Sequence, residues 1–163
     1  MTDQKKKNAT PKQAVNQSVN NEQQFSTQRI YLRDLSFESP MGAKAFTSKI
    51  RPTIDQELST ETVKVSEDLY EVQLKITVSA KIEEETAFLV EVHQAGLFLI
   101  KGVVGTDLNR VINTTCPQML FPYAREVIDS SLTKASFPPL MLPPVNFKAL
   151  YAQAMAEKKD AAH

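Results

Sequence analysis

The chain has 163 residues, and its 19 basic and 19 acidic side chains leave a formal net charge of zero. That length suits one domain with a real core, and the charge balance offers no basic field for a nucleic acid. No span approaches the roughly 20 apolar residues of a membrane helix, and a single cysteine excludes an intramolecular disulfide and is compatible with a reducing cytoplasm.

Residues 1 to 24 hold almost no large apolar side chains. Lys5, Lys6, Lys7 and Lys12 sit among Gln, Asn, Ser and Thr, so the segment is read as a disordered basic and polar tail. It begins basic, yet Asn8 to Gln13 is polar where a secretory signal requires an apolar run. Its lysines have neither aromatic interleaving nor an amphipathic period, which favours a solubilising role over nucleic-acid or membrane binding. The folded domain is placed at 25–158, with a flexible end at 159–163.

Four strands are expected first. Residues 25–38 are extended, with Phe25, Ile30, Tyr31, Leu35 and Phe37 among Arg and Asp. A crossover of about 14 residues around Pro40, Gly42 and Pro52 leads to a weaker strand at 53–65, with Ile54, Leu58, Val63 and Val65. Over 70–82 the alternation is clean: Tyr70, Val72, Leu74, Ile76, Val78, Ala80 and Ile82 point one way, and charged or polar side chains the other. One buried and one solvated face favours an antiparallel sheet. Glu83-Glu84-Glu85 reads as a solvated turn before a strand at about 86–101. There Phe88, Val90 and Val92 alternate with Leu89, Glu91 and His93, and Gly96 to Ile100 is apolar on both faces. Such a strand must be covered on both sides, by a second layer or a second subunit. On that argument Val90, Val92 and Gln94 are assigned to a subunit interface.

Helices follow. Asp107 opens a short one through Leu108, Val111 and Ile112. Pro122 is taken as the first residue of a longer helix, where a missing N–H costs nothing, running to about Ala135 with Ala124, Val127, Ile128, Leu132 and Ala135 as its stripe. Phe137 to Pro144 must be extended, because its prolines forbid helix and sheet interior. Asn146 caps a last helix from Phe147 to about Lys158. Strands first and helices last is an α+β arrangement.

The search for chemistry returns little. Cys116 reads as a small buried hydrophobe; a nucleophile would want a histidine, and only His93 and His163 exist, neither at catalytic or zinc-binding spacing. Gly102 and Gly105 cannot make a phosphate loop. No catalytic residue, metal site or cofactor is expected. Phe37, Ile54, Leu58, Phe137, Leu140 and Leu142 lie on edge-like or proline-rich segments where full burial is hard, and exposed apolar grooves mark binding sites. Each aromatic could equally be core. Met119, Met141 and Met155 add pliable surface, or fill the core.

Four blocks carry a family resemblance: Gln28 to Glu38, Tyr70 to Val92, Cys116 to Glu126 (with Leu120-Phe121-Pro122-Tyr123-Ala124-Arg125-Glu126 at its heart), and Pro143 to Phe147. Together, in order and at compatible spacing, they resemble the SecB protein-export chaperones from about Phe25 to Tyr151. The resemblance implies a four-stranded antiparallel sheet with helices on one face, assembled as a dimer of dimers. It implies an ATP-independent holdase that keeps unfolded secretory precursors in the cytoplasm for the motor SecA, with energy entering through that motor. Asp34 and Glu38, four apart on one strand face, match acidic family positions for docking SecA, as do Leu89 and Glu91. From the residues alone, solvated strand polarity is the favoured reading of Asp34 and Glu38, and the resemblance reverses that preference. The chain departs from the family in its long basic tail, its neutral overall charge, and Gln56, which interrupts the apolar alternation where an aliphatic groove residue is usual. Two rivals stand beside this reading: a SecB-like chaperone dedicated to a toxin–antitoxin pair, and a small α+β enzyme with a cone-shaped cavity.

Overall fold

The computed structural model describes residues 22–163, so the expected tail falls outside the described residues except for its last three. Four strands come first: β1 (Gln24–Glu38), β2 (Thr53–Ser66), β3 (Leu69–Ile82) and β4 (Glu85–Lys101). A short helix α1 (Lys44–Thr47) interrupts the crossover, and α2 (Gly105–Asn113), α3 (Thr115–Lys134) and α4 (Phe147–Ala161) follow the strands. Each strand end lies within one residue of its expected place.

The strands form one antiparallel sheet in the order β1-β4-β3-β2. Strands β2, β3 and β4 are a meander whose tight turns put Asp68 and Glu83 at φ 60° and 56°. The crossover then has to carry the chain from one edge strand to the other. The alternating side chains of β3 and their partners on β4 set the layers: Leu74 pairs with Gln94, Ile76 with Val92, Val78 with Val90 and Ala80 with Phe88. All eight are buried on the helical side. The other face carries Glu71, Lys75, Thr77, Glu91 and His93 and is open.

Helix α3 lies over β4 and β3. Its completely buried row, Cys116, Leu120, Ala124, Ile128 and Leu132, repeats every fourth residue and so holds one face of a helix. The row extends two turns further toward the N-terminus than expected, because the helix does not start at Pro122. It starts at Thr115, and the proline of its first turn is Pro117, where no intrahelical N–H is required. Pro122 sits inside the helix and denies the Gln118 carbonyl its ordinary partner. Both residues are on the exposed side, where water can serve that carbonyl.

Two further packing details matter. Val90 and Val92, expected at a subunit interface, need no second chain to cover them: they lie on the helical side of β4, where both are completely buried within the protomer. On the open face, Leu89, Leu97 and Leu99 are half-buried among neighbouring strands. Gly96 is demanded by the same layer, since an added Cβ would stand 2.5 Å from the Phe98 ring and 2.9 Å from Leu120. Helix α4 is capped as expected, with the Asn146 side chain accepting from the Ala149 N–H at 3.0 Å. It continues to Ala161, into the stretch assigned to a flexible end, through the good helix formers Glu157, Lys158 and Lys159.

Candidate functional site

The segment 137–144 becomes a strap held against α3. Helix α3 ends with Ser136 in the left-handed region at φ 66°. The Phe137 N–H donates to the Leu132 carbonyl at 2.9 Å and the Ser136 N–H to the Thr133 carbonyl at 3.1 Å, the paired bonds of a Schellman ending. From there Asp129 Oδ1 accepts from the Leu140 and Met141 N–H groups at 2.9 and 3.2 Å, and Arg125 donates to the Leu142 carbonyl at 3.4 Å. Arg125 and Asp129 sit one helical turn apart and face the strap together. The sequence reading missed both roles, although Arg125 lies in the Leu120 to Glu126 motif. A lone acid or arginine gives no sign that backbone will come to meet it.

Beneath the strap the aromatics gather. Phe137 lies 5.0 Å from Phe88 and 5.1 Å from Phe46 of α1 between ring centroids, and Phe88 stacks with Phe37 at 6.3 Å. Phe46 remains 54% exposed, so the cluster has an open side. On β2, Ile54 pairs with Ala80 and Leu58 with Ile76, which puts both on the helical side of the sheet. Helix α3 packs chiefly on β4 and β3, and Ile54 is left 39% exposed and Leu58 half-buried. Gln56 pairs with Val78 between them and breaks the apolar row. A cavity of about 280 Å³ continues the floor beneath α4, lined by Leu58, Asn113, Phe147, Leu150, Tyr151 and Ala154 among others. Of the six expected groove residues, Phe37, Ile54, Leu58 and Phe137 border this surface, and Leu140 is half-buried on the strap against the core. Leu142 does not border it; it is 5% exposed and belongs to the core.

The open face collects the four charged-patch candidates. Glu38 pairs across strands with Leu89, Ser36 with Glu91, and Asp34 with His93, so Asp34, Glu38, Leu89 and Glu91 share one surface. A bulge makes this possible. Leu32 pairs with Gln94 on the helical side, and strict alternation would put Asp34 there too; the extra residue Arg33 shifts the register and turns Asp34 outward. Arg33 and the Tyr31 hydroxyl both donate to the Glu71 carboxylate, which also accepts from Gln73 at 2.7 Å. Burial and the hydrogen bond to Glu71 raise the Tyr31 pKa. Glu91 meets His93 at 2.8 Å and Lys75 at 3.4 Å. The hydrogen bond from His93, then Lys75, holds its carboxyl below the usual range despite some burial.

Cys116 is completely buried, and burial pushes its thiol up to about 12. That is the inert apolar residue expected, because the nucleophile would be the thiolate. Gln94 is also inside, 3% exposed, and its Oε1 has no hydrogen-bond partner among the described residues. It floors a cavity of about 320 Å³ between β1 and α3, lined by Ile30, Leu32, Tyr123 and Glu126 among others.

A family model described as "SecB: Preprotein translocase subunit SecB" matches residues 18–158, nearly the whole chain. The chain belongs to the SecB family. Among curated SecB relatives, the "Protein-export protein SecB" of Cellvibrio japonicus is 54% identical over 139 residues, covering 85% of this chain and 83% of the relative. The protein of the same description from Stutzerimonas stutzeri is 50% identical over 138 residues, covering 85% and 84%. Among solved structures, the SecB-like chaperone of Mycobacterium tuberculosis in complex with a ChAD peptide from the HigA1 antitoxin superposes with a TM-score of 0.58. It is 17% identical and covers 74% of this chain and 90% of that one, a likeness of fold. SecB membership accounts for the four sequence blocks. They are the first strand, the β3–β4 hairpin, the start of α3, and the strap's junction with α4.

Proposed function

We propose that this protein is a nucleotide-independent holdase of protein export, which binds unfolded secretory precursors in the cytoplasm and passes them to SecA. The observation that carries the reading, beyond family membership, is the apolar surface left open between the strap and the edge strand β2. An extended client can lay apolar side chains against Phe37, Phe46, Phe137, Ile54 and Leu58, while exposed backbone beside them suits an extended peptide. The side chains offered are shallow and mostly aromatic or aliphatic, which suits many sequences better than one. Affinity then comes from repetition along a long client, since each contact must offset the client's ordering entropy.

Docking of SecA is assigned to the open sheet face through Asp34, Glu38, Leu89 and Glu91, on the side opposite the groove. Client and motor can thereby be held together. A homotetramer, two dimers of this chain, is supported by Gln94: a buried amide oxygen without a partner costs free energy that a neighbouring chain over the β1–α3 cavity can offset. Exposed Leu32, Leu35 and Tyr123 beside it are the apolar rim such a contact needs.

The test is refolding of an unfolded precursor without nucleotide. Near-stoichiometric tetramer should slow it, and Asp34→Lys or Glu91→Lys should abolish SecA binding while leaving that suppression intact. Suppression that required ATP would refute the holdase, and unchanged SecA binding would remove the patch. The toxin–antitoxin alternative has support only from a fold likeness and is disfavoured by the high identity to export proteins.

A further inference from the structure

Besides docking, the open face holds a constellation of metal-ligand type. Asp34 of β1 and Glu91 and His93 of β4 each offer one ligand atom, and these atoms all lie within 4.8 Å of one another. We propose that Asp34, Glu91 and His93 form a binding site for one divalent transition-metal cation, of which zinc is the natural probe.

The donor set points to that class. One imidazole nitrogen with two carboxylates suits zinc and its neighbours, with three protein ligands and a position left for water. Calcium and magnesium prefer all-oxygen shells of six or more ligands. The geometry is near a ligating one already: His93 Nε2 and Glu91 Oε1 are 2.8 Å apart, and ligands about 2.0–2.2 Å from a tetrahedral ion lie somewhat over 3 Å from each other. Asp34 is exposed and can close the remaining gap by rotation.

The scaffold is rigid where it must be. Asp34 and His93 are direct cross-strand partners, and Glu91 follows the same face two residues earlier. Asp34 reaches this face only through the Arg33 bulge, a device that commonly re-aims a side chain. Thr77 Oγ1 donates to the second oxygen of Glu91 at 3.4 Å, an outer contact of the kind that orients a ligating carboxylate.

Lys75 is the competitor. Its ammonium is 3.4 Å from Glu91 Oε1, the oxygen that meets His93, and its side chain is 39% exposed, so a cation entering the site must displace it onto its flexible stem. This separates a metal site from a plain ion-pair network. Removing Lys75 should weaken the network and strengthen the site.

The experiment is calorimetric titration of ZnCl2 into chelator-treated, tag-free full-length protein, with the visible spectrum of the Co2+ form as a second readout. Saturable uptake of one ion per chain is expected, lost in His93→Gln, weakened in Asp34→Asn and tightened in Lys75→Met. All three side chains face solvent, and circular dichroism verifies that each variant is folded. Absence of saturable uptake overturns the proposal, as does uptake that persists unchanged in His93→Gln or that fails to tighten in Lys75→Met.

Discussion

Replacing Val92 by aspartate tests how β4 is buried. Val92 has no exposed surface; it pairs with Ile76 on β3 and Leu35 on β1 and lies beneath α3. Removing its side chain from the core forfeits about 1.5–3 kcal/mol of apolar burial. An unpaired carboxyl in its place costs about 2–7 kcal/mol more, and the group protonates before it accepts burial as an ion. The loss is comparable with the whole stability of an ordinary domain, about 5–15 kcal/mol. Val92→Asp should therefore unfold the protomer, with loss of the far-UV circular dichroism signal, and not merely separate subunits. Val92→Ala should fold with its stability lowered by about 2 kcal/mol in urea. A Val92→Asp protein that keeps its secondary structure and urea midpoint while light scattering shows a smaller assembly would refute this reasoning. Its carboxylate would then have escaped to water at a face that only a second chain had covered.

Ser136 holds the left-handed ending of α3 at φ 66°, which glycine adopts without steric cost. Ser136→Gly should raise thermal stability by about 1 kcal/mol, the scale of that penalty; a fall in melting temperature would show the serine is needed otherwise. Asp129 accepts two backbone N–H groups of the strap, so Asp129→Ala should increase hydrogen exchange at Leu140 and Met141 and weaken client suppression. Global stability should fall by only about 1–3 kcal/mol, and unchanged exchange at those two amides would remove Asp129 from the strap.

Much of the fold was legible because period-two alternation is a direct record of which face is buried, and β3 keeps it without a break. Strand β1 shows the limit. Its helical-side residues run Phe25 and Thr27, then Ile30 and Leu32, then Leu35 and Phe37, with a step of three at each of two bulges. That change of step is in the sequence, but a step of three also reads as helix or irregularity, so only the pairing with β4 decides it. The start of α3 was misread for a related reason. Pro117 and Pro122 both fit a first helical turn, and the choice belongs to the i+4 row that begins at Cys116. Register effects were invisible altogether: nothing in the chain brings His93 to Asp34 until β1 pairs with β4.

The proposed client groove and the proposed docking patch lie on opposite faces of one sheet, and that division follows from the strand order. Because β2 and β1 are the edges, the crossover between them must travel across the sheet, and it brings Phe46 to the aromatic cluster that Phe37, Phe88 and Phe137 begin. Helix α3 packs chiefly on the central strands β4 and β3, so the proposed groove falls where that cover thins toward β2. Among the described residues no helix packs on the far face, and the side chains there can be charged without desolvation. Changes to Ile54 or Leu58 should then alter client binding without disturbing Glu91, while changes to Asp34 or Glu91 leave the core untouched. The strap belongs with the first set, because Phe137 packs on Phe46 and Phe88 while Arg125 and Asp129 of α3 hold its backbone. On the proposed assignment, holding a client and meeting a partner should be separable by mutation, since the sheet that joins the two surfaces is also the wall between them.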